Sequence, residues 1–364
     1  MTKNNKISVR QAMIMYIVAC MSPVTRLFPA AGAKYAAQAG WVSVIVAAAP
    51  VFVLVLVFSA LFKKGDAGPA NLSDVFELAY GKILARAVLA FYLVWIALLY
   101  ILYIRYYAER MLSTIFTTTD IRFFIVTMMA LVLIATRGRL EAFARFSELS
   151  IIVLTLILAG LVVCLIPTFK LRYVWPVTYV DAVPVAKGSF QMIGILCYFS
   201  LFFFLGDHIS RKEEIKKRGR GAVLFLGILS TVITLACIGT LSFRVSQRMP
   251  VPFFSTTKLI TTMQPLDRME AFLISAWVIS DFIIITVFAF ILMNIIKKLT
   301  GAREARDFAT PVSFFGVVGG IYLVTNRFEL EAFSNSNFLN TMNIVTGFAI
   351  PVVTLIVGKL RGKI

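Results

Sequence analysis

The 364-residue chain is 60% hydrophobic and carries a formal charge of +18, from 36 Lys and Arg against 18 Asp and Glu. An apolar share of this order over the whole length leaves no stretch for a separate soluble domain. The basic residues are spread over the ends of apolar segments, which points away from nucleic acid as a partner, and an enzymatic reading finds no catalytic group: there is one histidine and no Walker-type, Gly-x-Ser-x-Gly or His-Glu-x-x-His motif.

Ten apolar segments follow in order, at roughly 11–37, 41–62, 86–112, 121–136, 146–166, 189–206, 221–242, 270–296, 311–325 and 338–357. The loops between them alternate in charge. Those on the side of the termini hold 23 of the Lys and Arg, and those on the other side hold 13. By the positive-inside rule this is a multi-pass protein of the cell membrane with both termini cytoplasmic and the lipid bilayer as its surroundings.

The first segment follows Lys3, Lys6 and Arg10 like a signal peptide, but removing it would spoil the charge alternation, so it reads as a retained span. Pro23 and Pro29 each remove an intrahelical bond, predicting a break that exposes the backbone of Ser22, Pro23, Val24 and Thr25 to a small ligand. Arg26 lies between the prolines, either facing the same cavity or snorkelling to the outer interface. On the third span Tyr92, Trp95, Tyr100 and Tyr103 recur near a helical turn, as a cavity wall or as packing. Arg105 and Glu109, four apart, share one face as a structural ion pair or a gating pair.

The sixth span contains Gly188, Gly194 and Gly206, but Ile195–Leu205 has neither Gly nor Pro, so a break there follows from symmetry rather than from residues. After it, the run Arg211, Lys212, Lys216, Lys217, Arg218 and Arg220 reads as a topology signal or a contact with anionic headgroups. In the eighth span Asp281 falls about 15–20 Å from the outer end, near the bilayer centre, where a carboxylate needs a partner. The expectation is that it faces the cavity and meets Arg26 or a bound cation. The four cysteines are unclustered, no metal or cofactor is expected, and coupling to Na+ or H+ stays open.

Split into two sets of five, the segments match: the third of each half is the longest and the fourth the shortest. An odd number per half puts the halves in opposite orientation. The fold class expected is therefore an all-α integral membrane protein of ten transmembrane helices in a single domain. It is a 5+5 inverted repeat, at approximately 8–166 and 185–358, with discontinuous first and sixth helices.

Four stretches, in this order and spacing, resemble the spore germination receptor B-subunits. These are the GerAB-type permeases within the amino acid, polyamine and organocation superfamily. The stretches are Arg105-x-x-x-Glu109; Trp175-Pro176-Val177; Leu205-Gly206-Asp207-His208 before the basic run; and Arg268-Met269-Glu270 leading to Trp277 and Lys297-Lys298. The resemblance implies a LeuT-like fold and the sensing of a small germinant, such as an amino acid, at the spore inner membrane. It also implies partnership with an A-type membrane subunit and a C-type lipoprotein. The chain departs from the family with Ser22-Pro23-Val24 where a Gly-x-Gly is common and with Trp175-Pro176 where Arg-Pro is common. Together with the proline break, the resemblance puts a zwitterionic ligand among Ser22–Thr25, Tyr100, Cys197, Tyr198, Phe199 and Trp277, with Arg26, Asp281, Arg105 and Glu109 as coupling or gating groups. An ion-coupled amino acid permease is the alternative function; the absence of Lys and Arg from 146 to 169 favours sensing.

Overall fold

The computed structural model describes residues 6–63, 68–114, 116, 118–260, 269–323, 330 and 337–363; Arg268, one of the residues carrying the resemblance, lies outside them. Among the described residues, ten helical segments fall on the ten expected ones, seven stretches being long and apolar enough to cross a membrane: Val9–Ala36, Gly40–Leu61, Lys82–Thr114, Ile121–Arg137, Leu140–Leu165, Ala182–Leu196 with a continuation, Ile215–Leu241, Met269–Thr300, Ala309–Tyr322 and Asn337–Leu360. The third and eighth are the longest, with 33 and 32 residues, and the fourth and ninth have only 17 and 14 described residues, which repeats the matched lengths read from the sequence.

The first span forms the centre, packed against the second, fifth, sixth, seventh and eighth, while the third joins the eighth to the fourth and ninth. Outer faces are apolar and exposed, as along the fifth span at Leu149, Ile152, Val153, Leu156 and Val163. Side chains of that kind suit hydrocarbon, because a span satisfies its own backbone and asks nothing of the lipid. At the end of the bundle holding the termini, Ser8 and Gln11 form a capping box at the start of the first span. Next to it, Ile7–Ser8 pairs in parallel with Ile209–Ser210, tying the start of the first span to the end of the sixth. A short helix, Leu72–Tyr80, seals the same end: Lys298 Nζ meets Asp74 at 2.8 Å and Glu77 at 2.9 Å, and Arg361 bonds the Ala79 carbonyl. Lys212, expected among the headgroup-facing basic residues, is instead buried here, donating to the carbonyls of Pro69 and Ala70 at 3.1 and 2.6 Å. Those carbonyls precede the short helix and have no partner within it, which is why a lysine is drawn inward.

The break expected in the first span takes another form. Val9–Ala36 remains helical through Pro23 and Pro29. The opening comes from the eighth span: Ser22 N donates to Ser280 Oγ at 2.8 Å, and Ser280 Oγ donates to Val18 O at 2.6 Å. Ser22 N and Val18 O are the donor and acceptor that an uninterrupted helix pairs with each other, so the hydroxyl sits as a wedge in the ladder. Because both groups stay satisfied, the helix continues past the wedge and the backbone of Ser22–Thr25 is not freed.

The sixth span is opened in the same way from the tenth. Gly194 N donates to Asn340 Oδ1 at 3.2 Å, and Asn340 Nδ2 donates to Phe190 O at 2.6 Å, again bridging an i to i−4 pair. Glycine is required there, since a Cβ on Gly194 would lie 2.3 Å from Asn340 Oδ1. Three residues on, the span changes from α-helix to a 3-10 helix over the 12 residues Cys197–His208. Such runs seldom exceed one turn, and this one occupies the stretch without Gly or Pro. At the junction, the Leu196 carbonyl accepts from Tyr16 Oη of the first span at 2.8 Å. The tenth span answers with a π-helical turn at Val345–Ala349, whose Thr346 carbonyl accepts from Tyr92 Oη.

Candidate ligand and coupling site

Asp281 is 1% exposed and pairs with Arg110 of the third span, Nη1 to Oδ2 at 2.8 Å. This corrects the expected partnership with Arg26. Arg110 stands two residues before the end of the segment read from the sequence, where it passes for an interfacial charge. The helix in fact runs on to Thr114 and Arg110 turns inward, two turns above Tyr103. The contact is an ion pair without hydrogen-bond direction: neither carboxylate oxygen of Asp281 accepts a directed bond from a described residue.

Around the pair the first and eighth spans supply a polar junction. Arg110 Nη1 donates to Ser22 Oγ at 3.0 Å, and its guanidinium lies 5.0 Å from the Trp277 ring centroid. Trp277 Nε1 donates to Thr25 Oγ1 at 2.8 Å, and Thr25 Oγ1 donates back to Met21 O at 2.8 Å. Ser22, Thr25, Trp277 and Asp281 are thus brought together as the sequence suggested, with Pro23 and Val24 buried beside them, and Arg110 and Ser280 complete the group. That Ser280 wedges a helix is visible only in the tertiary structure.

A second layer lies about 10 Å nearer the termini, seven residues along both the third and eighth spans. There Tyr103 Oη donates to Tyr198 Oη at 3.4 Å, Asn343 Nδ2 donates to Tyr198 Oη at 3.3 Å, and Trp95 Nε1 donates to Asn343 Oδ1 at 3.1 Å, with Phe288 packed edge-on to both tyrosines. Asn343 has no signal in the sequence, since it lies mid-span three residues from Asn340 with no charged residue beside it to mark it as a site.

Three expected contacts lie elsewhere. Tyr100 turns away, its hydroxyl 3.3 Å from Met129 Sδ and against Gly316, between the fourth and ninth spans. Phe199 belongs to a ring cluster with Tyr16, Phe58 and Phe203, and Cys197 packs against Gly347 of the tenth span. The helical spacing that suggested Tyr100 gives position along a helix but not which face meets the junction.

Above the junction, at the end opposite the termini, is a cavity of about 400 Å³ between the first, third and sixth spans and the segment 247–251. Arg26 lines it, stacked over the Tyr106 ring at 4.4 Å. Glu109 lines it too, but is held by Arg105, whose Nε and Nη2 donate at 3.1 and 2.7 Å while Nη1 reaches the Gly320 carbonyl at 3.3 Å. The Arg105–Glu109 pair therefore braces the third span against the ninth.

Residues 6–328 match the family described as spore germination protein. The chain belongs to that family. It is also 23% identical over 338 residues to spore germination protein KB of Bacillus subtilis (strain 168), covering 89% of this chain and 87% of the relative. Among solved structures, the transporter MhsT in complex with L-phenylalanine aligns with a TM-score of 0.70 at 9% identity, over 98% of this chain and 89% of that one. Mhp1, a nucleobase-cation-symport-1 family transporter bound to bromovinylhydantoin, aligns at 0.67 and 14% identity over 96% and 78%. A Na+-coupled sialic acid symporter aligns at 0.65 and 13% over 95% and 80%. These likenesses establish the LeuT-like fold, and the matched proteins are a germination protein and transporters rather than enzymes.

Proposed function

We propose that the chain is the membrane subunit of a spore germinant receptor, sensing a small-molecule germinant, an amino acid, at the junction of Ser22, Thr25, Arg110, Trp277 and Asp281. It works in the spore inner membrane, termini cytoplasmic, with an A-type membrane subunit and a C-type lipoprotein. The carrying observation is the side-chain wedge that opens the first span, set beside a buried ion pair and under a cavity. A helix held open by a side chain from another span, rather than broken outright, has two arrangements of similar energy, which is what a sensor needs. Residues 8–166 and 185–358 are read as the two inverted halves, supported by the matching openings of the first and sixth spans.

The second reading, an ion-coupled amino acid permease, is favoured by the buried carboxylate of Asp281, whose oxygens accept no directed hydrogen bond and suit a proton or Na+. Full-length protein in proteoliposomes separates the two. The receptor reading expects saturable binding of an amino acid with no ion-driven accumulation in the lumen, and gradient-driven accumulation would establish the permease instead.

A further inference from the structure

Among the described residues, the lining of the cavity above the junction is richer in cations than in carboxylates. Among the described lining residues, Arg26, Lys34, Arg110 and Arg248 face one carboxylate, that of Glu109, which Arg105 already occupies, while Arg110 is paired with Asp281 beneath. Arg26 is 7% exposed and Arg110 6%, and the Nε of each has no hydrogen-bond partner among the described residues. Stacking on Tyr106 covers one face of the Arg26 guanidinium and leaves its N–H edge for an acceptor. Two nearly buried guanidiniums that line one cavity of about 400 Å³, each with an unpartnered Nε among the described residues, suit a planar oxyanion better than any neutral group.

We propose that this cavity is an entry subsite for an organic carboxylate, clamped between Arg26 and Arg110, and that the carboxylate takes Arg110 over from Asp281. The proposal rests on the receptor reading above and adds to it the ligand's anchoring group and its first contact. The exchange has a driving force because the Arg110–Asp281 contact is close but undirected, so an incoming carboxylate that replaces Asp281 as counter-ion can offer Arg110 better geometry. Once Arg110 moves, Ser22 Oγ loses its donor as well, and the wedge region is disturbed from above.

The test is equilibrium binding to the full-length protein in lipid nanodiscs, using the free amino acids and their α-carboxamides as probes. Two variants accompany it: Arg26→Gln, which keeps a polar amide donor and removes the charge, and Asp281→Asn. The subsite expects the carboxamide of any amino acid that binds to do so at least about tenfold more weakly than the acid. Arg26→Gln should weaken the acids by a similar factor while leaving the amides unchanged, and Asp281→Asn should tighten the acids severalfold because Arg110 loses its competitor. Equal binding of acids and amides by the unaltered protein, a comparison that depends on no variant, overturns the subsite and leaves the receptor reading standing, as does parental affinity in Arg26→Gln. Unchanged or weaker acid binding in Asp281→Asn overturns the exchange. Binding of neither series to the unaltered protein overturns the subsite and the amino acid reading together.

Discussion

Removing the charge of Asp281 alone leaves Arg110 buried without its counter-ion, and the cost follows from the geometry. At 2.8 Å, with an effective dielectric constant of about 20, the attraction is about 6 kcal/mol. Desolvation offsets part of this, and loss of one partner of a buried pair typically costs about 3–5 kcal/mol. Arg110 keeps Ser22 Oγ and the Trp277 ring, so the lower end, about 3 kcal/mol, is expected for Asp281→Asn. Arg110→Gln should cost about as much or more, because it strands a carboxylate that has no other donor among the described residues. The double variant should recover about 2–3 kcal/mol relative to the summed singles. Reversible denaturation of the four proteins in detergent measures this. Additivity within about 0.5 kcal/mol would mean that the two charges do not interact and would refute the reasoning.

Ser280→Ala removes the wedge while letting Ser22 N pair with Val18 O, so stability should change by no more than about 1 kcal/mol while the germinant response of spores falls sharply; a parental response at parental protein level would show the wedge to be incidental. Gly194→Ala should destabilise by about 1–3 kcal/mol and be partly rescued by Asn340→Ala, because the clash is with that side chain; melting curves without rescue would place the strain elsewhere. Tyr100→Phe gives up only the contact with Met129 Sδ and should leave the germinant dose response as it was, and a raised threshold would return Tyr100 to the ligand site.

Much of the architecture was legible because lipid imposes strict terms on sequence. The ten segments and their matched lengths follow from apolar length, Ser22, Thr25 and Asp281 from proline position and intramembrane charge, and Trp277 from the family resemblance. What was hidden depends on one helix acting on another. Pro23 signals a weak ladder, but that the ladder is bridged rather than broken is decided by Ser280, 258 residues from Ser22. Likewise Cys197–His208 has the composition of an ordinary helix, and its 3-10 geometry comes with Asn340 and the π-turn of the tenth span. Arg110 was obscured by its position, since a charge near a span's end ordinarily faces the interface, and only a longer, tilted or inward-turned helix buries it.

The central claim, that a small germinant is sensed at the wedged junction of the first, third and eighth spans, is tested most directly by the germination dose response of spores carrying Ser22→Phe or Thr25→Phe. Both side chains are buried at the junction, so a phenyl ring there occupies the space the germinant needs. The account predicts that the germinant concentration for half-maximal response rises at least about tenfold in each variant, with protein levels in the inner membrane unchanged. An unaltered dose response in both, at equal protein level, would contradict it.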